Sequence, residues 1–442
     1  MDCLDAMDTN DDGEANIADA VFLLNFLFGP GPIPGDPFPG CGIDSTPDVL
    51  TCLGPTMCAA TTNSTHLVYS KHRDHFVFVD GDPAPILSGD GSGFDSGEVD
   101  GPAIAVDKSR PNGDFFLLFF EAKDAIGQTS IGVLSSDEED FVSPSAIAIP
   151  RQQVVSPSNG AAIGAFDVAA TDPTLVVDKR STTPPPSRYK MWFEGRTGAG
   201  GAISTIVYCD SGDAISWANF QVCTGLTPGV QVSFGDRVAD PTVVLDRSPS
   251  GDLFKLWFEA VDEGGNGHAS IGYADSVNGV DWIVRDAAGS TGAAAGPVIV
   301  PGFGGPFSEY TVRSPSVVLV EDFADNNVNF HIWYTGGDVS TALGTEDAIG
   351  WATSPNGTTW FAESTPSPDF LPVLRPTGDG NLDPVTGSFE WDSGDVRQPC
   401  AWIDDSVPPS VEGAFLLWYA GDIENGGPNS ANHIGFAKGR AP

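Results

Sequence analysis

From about residue 99 to the end, the chain is a succession of short apolar runs broken by Gly, Pro, Asn and Asp. Apolar runs this short, rich in Val, Ile and aromatic residues and bounded by turn formers, are the signal of β-strands rather than helices. One pattern recurs. A proline opens an apolar strand, a second strand ends in two aromatic residues, a third carries Ile-Gly-aromatic, and a turn with Trp follows. The prolines are Pro102, Pro173, Pro241, Pro315 and Pro399, spaced 71, 68, 74 and 84 residues apart. The aromatic pairs are Phe119-Phe120, Trp192-Phe193, Trp257-Phe258, Trp333-Tyr334 and Trp418-Tyr419. Asn278-Gly279 and Asn356-Gly357 each precede a Trp by three residues, at Trp282 and Trp360.

Repeats that each supply three or four strands predict a five-bladed β-propeller over 99–442, so the fold class is all-β. The fifth copy ends without its outermost strand. Asp74–Val79, ahead of the first copy, is the spare strand, and its pairing with the last blade would close the ring without an open edge. Residues 61–98 are therefore read as linker and closing strand.

Residues 1–60 differ in character. Asp8, Asn10 and Asp12 stand at positions 1, 3 and 5 of a twelve-residue calcium loop, with Gly13 at the sharp turn. Glu14 offers its backbone carbonyl at position 7, Asn16 stands at 9 and Asp19 closes the loop at 12, so the loop predicts a Ca2+ site. The apolar segment Val21–Phe28, stopped by Gly29-Pro30, predicts a helix that must bury nearly every face. Loop and helix together resemble a dockerin repeat, a module that docks secreted proteins onto cohesin partners. A dockerin has two such loops; here the second, Asp44–Asp48, is degenerate and flanked by Cys41 and Cys52.

The chain carries 60 acidic and 20 basic residues, a formal net charge of −40. That excess repels nucleic acid and anionic membranes, which excludes both as partners. Of seven cysteines, Cys3, Cys41, Cys52 and Cys58 crowd the N-terminus, Cys209 and Cys223 lie in one repeat, and Cys400 is left over. Without zinc spacing, these predict disulfides and an extracellular or cell-surface location. The residue after each proline is Ala103, Thr174, Thr242, Ser316 or Cys400, all small, and Cys400 reads as a core residue.

Inner strands of a propeller start at the central funnel. One residue before each proline stand Gly101, Asp172, Asp240, Ser314 and Gln398; two before stand Asp100, Thr171, Ala239, Arg313 and Arg397. Asp100, Asp172 and Asp240 are the candidate catalytic carboxylates. Arg313, Arg397 and Gln398 are candidate ligand-binding residues, suited to a sugar acid or sulfate, or to ion pairs with the aspartates. The Asp-Pro pairs recur in register, which also suits a turn-holding role. Glu121, Glu194 and Glu259, which follow the aromatic pair in three successive copies, read as structural on the same ground.

The architecture and these early-blade acids resemble the five-bladed glycosidase clan of arabinanases, xylosidases, invertases and levansucrases. The resemblance implies base-or-nucleophile, second-Asp and acid roles at Asp100, Asp172 and Asp240, although the clan has Glu at the third place. Two functions follow from the sequence. The favoured one is a secreted, calcium-binding assembly or adhesion protein, its N-terminal module docking onto a partner or another copy to form filaments. The propeller would then be a rigid, glycan-binding body. The alternative is a glycoside hydrolase acting on a polysaccharide.

Overall fold

In the computed structural model the chain divides into two compact units, Met1–Tyr69 and Ser70–Pro442. The described residues are Phe22, 76–78 and 85–439, without 111–112, 142–148, 162, 179–186, 249–250, 263–267, 323–326, 338–346, 363–371, 377–391, 393, 405–414, 423–431. The calcium loop Asp8–Asp19 and Cys3, Cys41, Cys52 and Cys58 lie outside them.

The second unit is a five-bladed propeller. Strand β1 (Phe76–Phe78) comes first in the chain but belongs to the last blade. Blade 1 is β2 (Glu98–Val106), β3 (Phe116–Lys123), β4 (Thr129–Ser136) and β5 (Gln152–Val155). Blade 2 is β6 (Ala169–Val177), β7 (Tyr189–Thr197), β8 (Ile203–Ser211) and β9 (Trp217–Val222); a single bridge, Thr129 to Ala169, joins it to blade 1. Blade 3 is β10 (Arg237–Ser248), β11 (Gly251–Val261), β12 (Ala269–Ser276) and β13 (Ile283–Arg285). Blade 4 is β14 (Thr311–Asp322), β15 (Asn327–Gly337), β16 (Asp347–Ser354) and β17 (Phe361–Ala362). Blade 5 is β18 (Val396–Ile403), β19 (Phe415–Gly421) and β20 (His433–Gly439), completed by β1, where Phe76 pairs with Gly439 and Phe78 with Ala437. The predicted closure is thus the observed one, and it ties the two ends of the unit into one sheet.

Because strand side chains alternate between faces, each blade contributes to two cores. On β7, Met191 and Phe193 pack towards blade 1, while Trp192 between them packs towards blade 3 with Leu256 and Trp282. The same alternation corrects one expectation. Cys209 lies in the core between blades 1 and 2, and Cys223 in the core between blades 2 and 3. They occupy opposite faces of one sheet and are free thiols, as is Cys400, so no disulfide joins the pair.

The repeated Trp and Gly have a common physical cause. Trp192 Nε1 donates to the carbonyl of Gly279 in blade 3 at 2.6 Å, and Trp257 Nε1 to that of Gly357 in blade 4 at 2.8 Å. Trp418 Nε1 closes the circle on Glu139 of blade 1 at 3.0 Å. Each latch lets a fully buried indole satisfy its only polar atom across a blade seam. Gly357 has φ of +79°, and a Cβ there would lie 2.7 Å from Trp257, so both conformation and space demand glycine.

Candidate active site

Each inner strand breaks its register at the proline, between Asp100 and Ala103, Thr171 and Thr174, Ala239 and Thr242, Arg313 and Ser316, and Arg397 and Cys400. Proline cannot donate to a ladder, so the strand accommodates it with a bulge. The residue before the proline turns left-handed in all five blades: Gly101 at φ +51°, Asp172 +50°, Asp240 +43°, Ser314 +47° and Gln398 +49°. Four of these are not glycine, so the strain of about 1 kcal/mol each is held by the surrounding ring. These residues line a constriction of about 40 Å³. Beside it on the same strands is a cavity of about 470 Å³, bounded by residues such as Ala105, Val177, Leu245 and Leu319.

The residue after each proline makes a second ring. Val243 N donates to Thr174 Oγ1 (3.3 Å), Val317 N to Thr242 Oγ1 (3.4 Å), Ala401 N to Ser316 Oγ (2.9 Å) and Ile104 N to Cys400 Sγ (3.2 Å). Small size is therefore only part of the requirement; an acceptor is the rest. Burial pushes the Cys400 thiol up to about 12, so the sulfur stays protonated beside its donor. Blade 1 lacks the acceptor, because Ala103 stands there.

The carboxylates gather on one arc around the ring of residues before the prolines. Asp100 accepts from Gly101 N (3.1 Å), Asn432 Nδ2 (2.6 Å) and Arg397 Nη2 (3.3 Å). Arg397 also pairs with Asp395 (3.5 Å) and Asp422 (3.3 Å). Asp172 accepts from Gln398 Nε2 at 2.8 Å, and Asp240 from Ser314 Oγ at 2.5 Å. Asp172, Glu194 and Asp240 bring one oxygen each within 4.8 Å of the others. Glu194 is also ion-paired, with Arg196 (2.8 Å) and Arg237 (3.4 Å). Arg313 pairs with Asp347 across blade 4.

Crowding and burial strengthen a carboxyl's hold on its proton. Burial, then the charges of Asp240 and Glu121, lift Asp172 well above the ordinary carboxylate range. Burial and Asp100 do the same to Glu121, against the pull of Arg196. Burial and Asp240 lift Glu259, against Arg313 and Arg237. Asp100 is also raised by burial, but Arg397 opposes this first. The arrangement can therefore offer an acidic proton and a guanidinium-supported carboxylate on adjacent blades.

Sequence reasoning set Glu121, Glu194 and Glu259 aside as structural. The structure places each opposite the residue two before a proline: Asp100 faces Glu121, Thr171 faces Glu194, and Ala239 faces Glu259. Cross-strand partners share a face, so all three join the axial cluster. Their recurrence after the aromatic pair, aligned with the recurrence before the proline, was the available signal. Asp395, Asp422 and Asn432 carried none, since nothing in the other repeats corresponds to them.

No protein-family description and no curated protein matches the chain. Solved structures do. A glycoside hydrolase aligns over 86% of this chain and 97% of its own, at 10% identity and a TM-score of 0.55. A glycosyl hydrolase from Bacteroides ovatus aligns over 82% and 93%, at 13% identity and a TM-score of 0.52. The catalytic domain of the GH62 α-L-arabinofuranosidase of Coprinopsis cinerea aligns over 83% and 96%, at 11% identity and a TM-score of 0.52. At such identities the likeness is one of fold. The neighbours are described as glycoside hydrolases, and this corrects the sequence's preference for an assembly or adhesion protein in favour of its alternative, taken up below. No helix among the described residues is long and apolar enough to cross a membrane.

Proposed function

We propose that the protein is a glycoside hydrolase that cleaves a neutral polysaccharide at the propeller axis. The observation that carries the reading is the acid arc, in which Asp172 lies buried among carboxyls that strengthen its hold on a proton while Asp100 accepts from three donors. Asp172 gives its proton to the glycosidic oxygen. Asp100 takes a proton from the water that attacks the anomeric carbon. Asp240 is the neighbour that keeps Asp172 loaded. An inverting pair needs about 6.5–9.5 Å between its carboxyls to seat that water, so Asp172 and Asp240, within 4.8 Å, do not suit as an inverting pair.

A neutral glycan fits better than an acidic one. The guanidiniums at the mouth, Arg196, Arg237, Arg313 and Arg397, are all paired with carboxylates. They leave no spare positive charge to favour a uronate or sulfate. The test is a hydrolysis screen over neutral polysaccharides, followed by Asp100→Asn and Asp172→Asn. Each variant should lose about 10²–10⁴-fold in kcat/KM with an unchanged circular dichroism spectrum. Unaltered turnover in both refutes the assignment.

On sequence alone, the N-terminal loop is proposed to bind one Ca2+ through Asp8, Asn10, Asp12, Glu14, Asn16 and Asp19, consistent with a secreted protein. Calorimetric titration of the full chain should show saturable Ca2+ binding that Asp8→Ala with Asp12→Ala abolishes. Unchanged binding would remove the loop from consideration.

A further inference from the structure

The ring before the prolines has one gap, at Gly101, and one side chain long enough to cross it. Gln398, in blade 5, accepts from Gly101 N at 3.2 Å in blade 1 and donates to Asp172 Oδ1 at 2.8 Å in blade 2. The Gly101 N–H, shared with Asp100 Oδ1 at 3.1 Å, can only donate, so the Gln398 oxygen faces Gly101 and the nitrogen faces Asp172. The backbone is pinned as well. Gln398 N donates to Thr335 Oγ1 of blade 4 at 3.0 Å, and its φ of +49° aims the side chain inward. A Cβ at position 101 would lie 3.4 Å from Asp172 Oδ1, in van der Waals contact with it.

We propose that Gln398 is a positioning residue that fixes which oxygen of Asp172 carries the proton. The amide N–H occupies Oδ1, the carbonyl-like oxygen of the acid. The proton then sits on Oδ2, free to pass to an acceptor that is not Gln398. Besides Gln398, the groups acting on Asp172 are Asp240 of β10, Glu121 of β3, and Glu194 and Arg196 of β7. Asp240 also hydrogen-bonds to Asp172, and Gln398 is the neutral member of the set. The inference rests on the proposed role of Asp172, but its test needs no substrate.

The experiment is a carbon-13 titration of aspartate carboxyls in the full chain, assigned with Asp172→Asn. In the unmodified protein, the Gln398 side-chain nitrogen resonance should shift with the same midpoint as Asp172. In Gln398→Met the Asp172 midpoint should rise by about one pH unit, the worth of one lost donor to the charged form. A Gln398 resonance indifferent to that midpoint overturns the proposal, even if the variant fails to fold. So does a midpoint unmoved in Gln398→Met. If Asp172 titrates as expected yet Asp172→Asn keeps full hydrolytic activity, the proton donor role fails while the positioning contact stands.

Discussion

The missing acceptor at Ala103 makes a prediction with a definite sign. In the other four blades a Thr, Ser or Cys after the proline accepts the N–H two residues past the next blade's proline. By that repeat, the donor facing Ala103 is Leu175 N, since Leu175 and Val243 hold the same register position opposite Met191 and Leu256. Ala103→Ser should supply the fourth oxygen acceptor of the ring. One net hydrogen bond contributes about 1 kcal/mol. If the hydroxyl found no donor at this site, which is 4% exposed, it would instead cost about 1–3 kcal/mol. The two outcomes differ in sign, so thermal unfolding suffices to separate them. A gain of about 1 kcal/mol raises Tm by a degree or two in a domain of this size. Hydrogen exchange supplies the local readout: the Leu175 amide should slow in the variant, towards the rates of Val243 and Val317. Thr242→Ala is the converse control and should free the Val317 amide. A lower Tm with unchanged exchange at Leu175 would refute the reading of the ring as a repeated acceptor device.

Stability should rise on acidification from pH 8 to 5, because a carboxyl whose folded pKa is raised favours folding while protonated and loses that contribution as pH climbs through the folded value. Asp395, pushed up to about 6 by burial and Asp347, is the tractable case. Its shift is worth up to about 3 kcal/mol, so the advantage of Asp395→Asn over the parent should grow between pH 4 and 7, followed by chemical denaturation; a pH-independent difference sinks the argument. Trp257→Phe deletes the donor to Gly357 and should cost about 1–3 kcal/mol. Gly357→Ala, strained at φ +79° and meeting Trp257 at 2.7 Å, should cost at least as much; if either unfolds at the parent's midpoint, the latch is not a stabilising contact.

The chain announced its architecture because a propeller is a local device repeated. Each blade is contiguous in sequence, so the prolines, aromatic pairs and Ile-Gly strands show as a period, and the spare strand follows from counting. The inward position of Asp172, Asp240 and Gln398 was legible for the same reason. Their left-handed backbone was not, because it arises where a bulge admits proline into a strand already fixed by its neighbour. Cys209 and Cys223 misled: close together in one repeat, they look like a pair, and only sheet alternation shows them on opposite faces.

Sequence by itself thus determined the strand repeat, the closure, the acidity, and the residues at each ring position. Tertiary structure decided what those residues do to one another. Whether Glu121 joins the site depends on its register with Asp100. Whether Gln398 touches Asp172 depends on a gap at Gly101, 297 positions away in the chain. The first contact joins neighbouring strands of blade 1 and the second joins blade 5 to blades 1 and 2. Their energies depend on burial and on charges that only the closed ring brings together, so the local pattern marks positions such as Glu121 without encoding what they do to one another.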